Sequence, residues 1–160
     1  MKKMKSAGGA PQFFDDGKLI SPAAYMTYLT DRAAYASFAR AGFGLFCVLV
    51  QASGFAANEE SGLGGGFSPQ TWLAPDLFDF SSLDSDLRKI ISDTGNENAR
   101  VILRVNLNMP KWWREKYPQE LTKFNNGKTL MQSIFSARWK KDCARYLAAR
   151  QNATTAALIN

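Results

Sequence analysis

The sequence predicts an α/β fold: about three βα units of parallel sheet, arranged as a partial, unclosed (β/α)8 TIM barrel. Three observations predict it. Residues 43–51, FGLFCVLVQ, are apolar on both faces, as in a strand covered on both sides of a parallel sheet. Residues 100–113, RVILRVNLNMPKWW, alternate instead. Val101, Leu103, Val105 and Leu107 make a wholly apolar face; Ile102, Arg104, Asn106 and Asn108 make one that turns polar toward its C-terminal end. In a barrel strand the apolar face meets the helices, while the polar one points inward and reaches the site at the top. A half-buried sheet with one wet face is the simpler alternative. Finally, candidate strands and helices alternate three times along the chain, which implies parallel pairing through crossovers.

In order, residues 1–12 are expected to be a disordered leader, rich in Lys, Gly and Ala. The barrel-like domain is placed at 13–150 and a frayed tail at 151–160. Residues 13–20, FFDDGKLI, carry an Asp-Gly turn signal between apolar flanks and predict a small hairpin. A short first strand is expected within 23–28. A helix follows from Thr30, capped by Thr30 and ended by Gly42, with Tyr35, Phe38 and Ala39 on one stripe. After the second strand, 52–80 reads as a long glycine-rich loop. Its adjacent Glu59 and Glu60 suit a solvated loop better than an acid–base pair, because neighbouring side chains rarely face one substrate.

Ser81 and Asp84 approximate a capping box for the second helix. Leu83, Leu87, Ile90 and Ile91 form its apolar stripe, and Gly95 closes it. Pro110 stops the third strand and leaves Trp112 and Trp113 in a loop. An Asn126-Gly127 turn signal follows. The third helix starts near Ser136 and places Trp139, Cys143, Tyr146 and Leu147 on one face, so Trp139 reads as helix packing.

Composition bounds the chemistry. The 160 residues carry a formal charge of +6, with 46% hydrophobic and 21% charged residues, in the range of ordinary globular domains. The cations are scattered apart from Lys2, Lys3 and Lys5 and the cluster Arg138, Lys140 and Lys141, without a nucleic-acid motif, so no nucleic-acid partner is expected. With no histidine, imidazole metal sites and Ser-His-Asp triads are excluded; no metal and no cofactor are expected. Cys47 and Cys143 read as buried free thiols, with a disulfide as the alternative that geometry decides. No apolar h-region follows the basic start, and the longest apolar run is too short to cross a bilayer. The expected location is cytoplasmic, without a membrane partner.

Several short motifs, in order, resemble a known family. They are the stretch from Asp79 to Asp84, the strand end from Asn106 to Pro110, Trp112-Trp113, Tyr117-Pro118-Gln119-Glu120, and the stretch from Gln132 to Trp139. Across roughly residues 17–150 the chain looks like the N-terminal part of family 42 beta-galactosidase-like glycoside hydrolases. The resemblance implies a (β/α)8 barrel, carbohydrate metabolism and hydrolysis of O-glycosyl bonds by two glutamates, an acid/base in an Asn-Glu pair ending strand four and a nucleophile ending strand seven. Asn58-Glu59 and Asn96-Glu97 precede the third strand and match neither position, so no catalytic residue carries over. A full barrel takes about 250 residues, and three units of eight cannot close. The chain therefore reads as an N-terminal fragment, inactive alone, whose open edges favour self-association.

Retaining cleavage needs two carboxyls about 5 to 5.5 Å apart, and this chain is expected to supply supporting groups only. The candidate substrate-binding residues are Arg104, Asn106, Asn108, Trp112 and Trp113. The first three would hydrogen-bond sugar hydroxyls, and a tryptophan would offer an apolar ring face. For Arg104 a structural ion pair is the competing role, and for the tryptophans a satellite core. The alternative function is a non-catalytic carbohydrate-binding or interaction module.

Overall fold

The computed structural model describes residues 3–7, 10–15, 17–20, 23–53, 69–95 and 99–159. In chain order these form β1 (Lys3–Ala7), β2 (Ala10–Asp15), β3 (Lys18–Ile20), β4 (Tyr25–Met26), α1 (Tyr35–Arg40) and β5 (Leu45–Gln51). There follow β6 (Trp72–Ala74), β7 (Leu77–Phe78), α2 (Ser81–Thr94), β8 (Arg100–Asn106), α3 (Lys111–Lys116), β9 (Leu121–Lys123), β10 (Thr129–Gln132) and α4 (Ala137–Ile159). The chain divides into two compact units, Met1–Val48 with Asp86–Leu103, and Leu49–Ser85 with Arg104–Asn160, the division passing through β5, α2 and β8.

β4, β5 and β8 form a three-stranded sheet in that order. β4 runs parallel to β5, with Tyr25 opposite Phe46 and Met26 opposite Cys47. The bonds Arg100 N to Gly44 O and Ala52 N to Asn106 O, both 3.0 Å, ascend β5 and β8 in the same sense, so this pairing is parallel too. The sheet is not closed. The mixed α/β order and the open parallel sheet are as the sequence predicts.

In the first unit, β1, β2 and β3 form an antiparallel sheet. The predicted 13–20 hairpin is present, pairing Phe13 with Ile20 and Asp15 with Lys18, and Gly17 (φ +81°) supplies the turn conformation a side chain would strain. Within the stretch expected to be a leader, Lys3 pairs with Phe14 and Ala7 with Ala10; residues 1, 2, 8 and 9 lie outside the described residues. Thr30 does not cap a helix. It opens a 3-10 turn (Thr30–Arg32), and α1 begins at Tyr35 without a side-chain cap. What anchors α1 is aromatic packing: Tyr35 is buried and meets Tyr25 and Phe46 edge-on at 5.6 and 5.8 Å, and Phe38 stacks on Tyr25 at 3.9 Å. In this half of α2, Leu87 and Ile90 are buried but Ile91 is 42% exposed, so the stripe is narrower than its sequence suggests. Gly95 (φ +58°) ends the helix, its N–H donating to Ile91 O.

In the second unit the expected long loop contains an antiparallel pair, β6 with β7, matching Trp72 with Phe78. Ser81 is not the cap of α2. The Asp79 carboxylate accepts its N–H at 2.9 Å, and hydrogen bonding from the Ser81 hydroxyl, then from this N–H, holds the Asp79 pKa below the ordinary carboxylate value. Trp112 and Trp113 lie in α3 rather than a loop, because Pro110 serves as the residue preceding the helix. Asn126-Gly127 turns the β9–β10 hairpin, with Gly127 at φ +78°. Ser136 caps α4, its Oγ accepting Trp139 N at 3.0 Å while donating to Glu120 at 2.5 Å. Helix α4 runs from Ala137 to Ile159. Its predicted face is buried: Trp139, Cys143 and Tyr146 join Ala52, Trp72, Met109, Trp113 and Leu121 in one core.

Candidate functional site

The alternation of β8 is visible in its packing. Val101, Leu103 and Val105 are half-buried while Ile102, Arg104 and Asn106 are exposed. Val105 and Leu107 pack on the aromatic core of the second unit, which leaves the face carrying Arg104 and Asn106 open to solvent, with Asn108 half-buried just beyond the strand. A guanidinium and an amide thus stand on the accessible side of a parallel strand, near its C-terminal end.

The neighbouring strand supplies groups that sequence reasoning missed. β5 ends in Gln51, which is buried and forms a parallel bridge with Gln70. The Gln51 Oε1 has no hydrogen-bond partner among the described residues. Because Ala52 N donates to Asn106 O at 3.0 Å, the C-terminal ends of β5 and β8 lie side by side. Gln51, Asn106 and Asn108 therefore belong to adjacent strand ends within one unit. The signal was present in the sequence: a glutamine that terminates an otherwise doubly apolar run is a polar group at the end of a buried strand. Gln70 is occupied locally, donating to Trp72 O at 2.6 Å, and Thr71 hydrogen-bonds Gln51 O and Tyr146 Oη, both at 2.6 Å.

The tryptophans divide. Trp113 is fully buried. It donates Nε1–H to Asp142 at 2.9 Å and packs edge-on against Trp139 at 4.9 Å, so no ring face remains for a ligand and the substrate-face role expected for it is corrected to a core role. Trp112 is half-buried, edge-on to Trp72 at 5.4 Å, with Nε1 directed at Trp72 O at 3.4 Å. At the centre is Trp72, buried and stacked between Trp139 (5.8 Å) and Tyr146 (5.1 Å). These rings dominate the hydrophobic energy of this unit.

The rim residues Arg104, Asn106, Asn108 and Gln51 donate and accept hydrogen bonds; none is a carboxyl. Glu59, Glu60 and the Asn58-Glu59 and Asn96-Glu97 pairs fall outside the described residues. Both cysteines are free and buried. Burial, then the neighbouring Asp142 carboxylate, pushes the Cys143 thiol up to about 12, which makes it an inert packing residue rather than a nucleophile. Among the described residues no cluster of three His, Cys, Asp or Glu side chains is placed to hold a metal, and no helix is long and apolar enough to cross a membrane. Comparison with protein-family models, with curated proteins and with solved structures finds no match.

Proposed function

We propose that β4–α1, β5–α2 and β8–α4 are the first three units of a (β/α)8 barrel of glycoside hydrolase type, beta-galactosidase-like, and that the chain contributes sugar-binding groups without the catalytic glutamates. One observation carries this reading. The exposed Arg104 and Asn106 and the half-buried Asn108 stand at the C-terminal end of a parallel strand beside the C-terminal end of β5, where ligands of parallel α/β sheets bind. Their fixed donors and acceptors suit the hydroxyls of a saccharide. Buried free thiols favour a reducing compartment, in keeping with a cytoplasmic location.

A second reading, a non-catalytic carbohydrate-binding module, is favoured by the chemistry of the rim, whose described residues offer hydrogen bonds and no acid–base pair. Titration calorimetry with lactose on the purified chain tests both. Binding that weakens about tenfold in Asn106→Ala, as expected for lost hydrogen bonds to sugar hydroxyls, supports a saccharide site. Absence of binding to any galactoside sinks it. Turnover of a nitrophenyl galactoside would contradict both readings, since the described rim residues Arg104, Asn106, Asn108 and Gln51 include no carboxyl.

A further inference from the structure

The second unit carries a surface that the carbohydrate reading does not use. Ile134 and Phe135 are the most exposed large hydrophobics among the described residues, at 71% and 84%, and Phe124 and Met131 of the adjoining hairpin are exposed as well. Their exposure is built rather than incidental. Ser133 N donates to Glu120 O at 2.9 Å, Phe135 N to Ser133 Oγ at 3.2 Å and Ser136 N to Ser133 O at 3.1 Å, so residues 133–136 form a pinned turn with Ile134 and Phe135 on its outside. Residues 121–141 contain five cations, Lys123, Lys128, Arg138, Lys140 and Lys141, and no carboxylate. The nearest acids on either side are occupied inward: Glu120 accepts the Ser136 hydroxyl, and the buried Asp142 accepts from Trp113. Arg138 is held over the Tyr117 ring at 4.6 Å, and Lys140 and Lys141 are exposed beside the turn in the first turns of α4.

We propose that the turn 133–136, with Lys140 and Lys141, is a peripheral docking surface for an anionic lipid bilayer. The charge of the patch selects a negative surface, and its shape selects a fluid one. An adjacent Ile-Phe pair on the outside of a tight turn inserts into acyl chains without needing a complementary pocket, while lysines beside it reach lipid phosphates with their stems along the apolar surface. Protein hot spots, by contrast, are aromatic anchors that a partner's pocket encloses. Docking of this kind needs no spanning helix, and this inference does not depend on the sugar site.

The test is sedimentation of the full chain with vesicles. Binding is expected to vesicles of equal parts phosphatidylcholine and phosphatidylserine, weakened by salt, and to be absent with phosphatidylcholine alone. Ile134→Ser with Phe135→Ser lowers the partition coefficient about tenfold or more, and Lys140→Gln with Lys141→Gln lowers it about 25-fold, at about fivefold per lysine. Phe135→Trp gives a second readout that does not rely on loss: its fluorescence shifts to the blue on the mixed vesicles. Equal binding to both vesicle types, binding that survives the Ile134 and Phe135 substitutions, or an unshifted Phe135→Trp emission would overturn the proposal. So would tighter binding to a single-stranded oligonucleotide or an acidic amphipathic peptide than to the mixed vesicles, or a dimer that the same apolar substitutions disperse.

Discussion

Replacing Tyr35 by Phe should stabilise the first unit. The Tyr35 hydroxyl is buried and has no hydrogen-bond partner among the described residues, and an unsatisfied buried polar group costs about 1–3 kcal/mol. Phenylalanine keeps the two edge-on ring contacts, with Tyr25 at 5.6 Å and Phe46 at 5.8 Å, so about 1–2 kcal/mol of gain is expected near neutral pH. The gap also widens in alkali. Burial, then the Asp86 carboxylate, raises the Tyr35 pKa from 10.0 to about 12. A folded-state pKa above the unfolded one means that the phenol's contribution is complete below pH 10 and is lost as pH rises toward 12. The wild type thus loses up to about 3 kcal/mol across that window, at about 1.4 kcal/mol per unit, and Tyr35→Phe escapes the loss. Urea denaturation at neutral and alkaline pH reads both effects as a shift in midpoint at constant slope. A variant less stable than wild type by about 1 kcal/mol at neutral pH would show that the hydroxyl is bonded, and the reasoning would fail.

Three further outcomes follow from named contacts. Burial raises the Asp86 pKa, partly offset by the Thr30 hydroxyl, so Asp86→Asn is expected to be more stable than wild type near neutrality, the difference fading as pH falls through the raised folded-state pKa and gone below the ordinary carboxylate value; pH-dependent urea midpoints check this sign. Trp113→Phe removes the hydrogen bond that the indole N–H donates to buried Asp142, leaving that carboxylate with Arg145 3.6 Å from its other oxygen. A loss of about 2–4 kcal/mol is expected by denaturation, from an under-paired buried carboxylate and a partly emptied ring site. Cys143, with its thiol raised to about 12, should resist iodoacetamide in the folded chain at neutral pH and react only on unfolding, as mass spectrometry of the labelled peptide would show.

Much of the parallel core was legible because periodicity reports burial directly. The 45–51 strand, apolar as far as Val50, and the alternating 100–106 strand expose or cover the side chains their spacing implies, and glycine at 42, 95 and 127 falls where a positive φ is required. Legibility failed where tertiary contacts override local signals. Thr30 looks like a cap, yet Tyr35 packing sets where α1 begins. Trp112 and Trp113 follow a proline that ends a strand, but the same proline opens α3. Gln51 marks a polar end to a doubly apolar run, but a single glutamine has no periodicity, and only the neighbouring end of β8 shows which groups it stands beside. Ile134 and Phe135 carried no signal as exposed residues, since sequence alone reads an Ile-Phe pair as core.

Trp112 is where the sugar reading and the core reading of the aromatic cluster make different demands. It lies at the edge of that cluster, half-buried, edge-on to Trp72, and its N–H reaches Trp72 O only at a long 3.4 Å. If its ring stacks on a saccharide, the aromatic face matters and the N–H does not. Trp112→Phe should then leave lactose affinity within about twofold, while Trp112→Leu, which keeps apolar volume but loses the flat face, weakens it about tenfold, in line with the worth of an aromatic face beyond its area. Stability moves the other way around under a pure core role: both substitutions shift the urea midpoint in proportion to the volume removed, and affinity follows neither. Measuring the two quantities on the same pair of variants separates them, and unchanged lactose affinity in Trp112→Leu removes the tryptophan from the proposed sugar site, which would then rest on hydrogen bonds from Arg104, Asn106 and Asn108 alone.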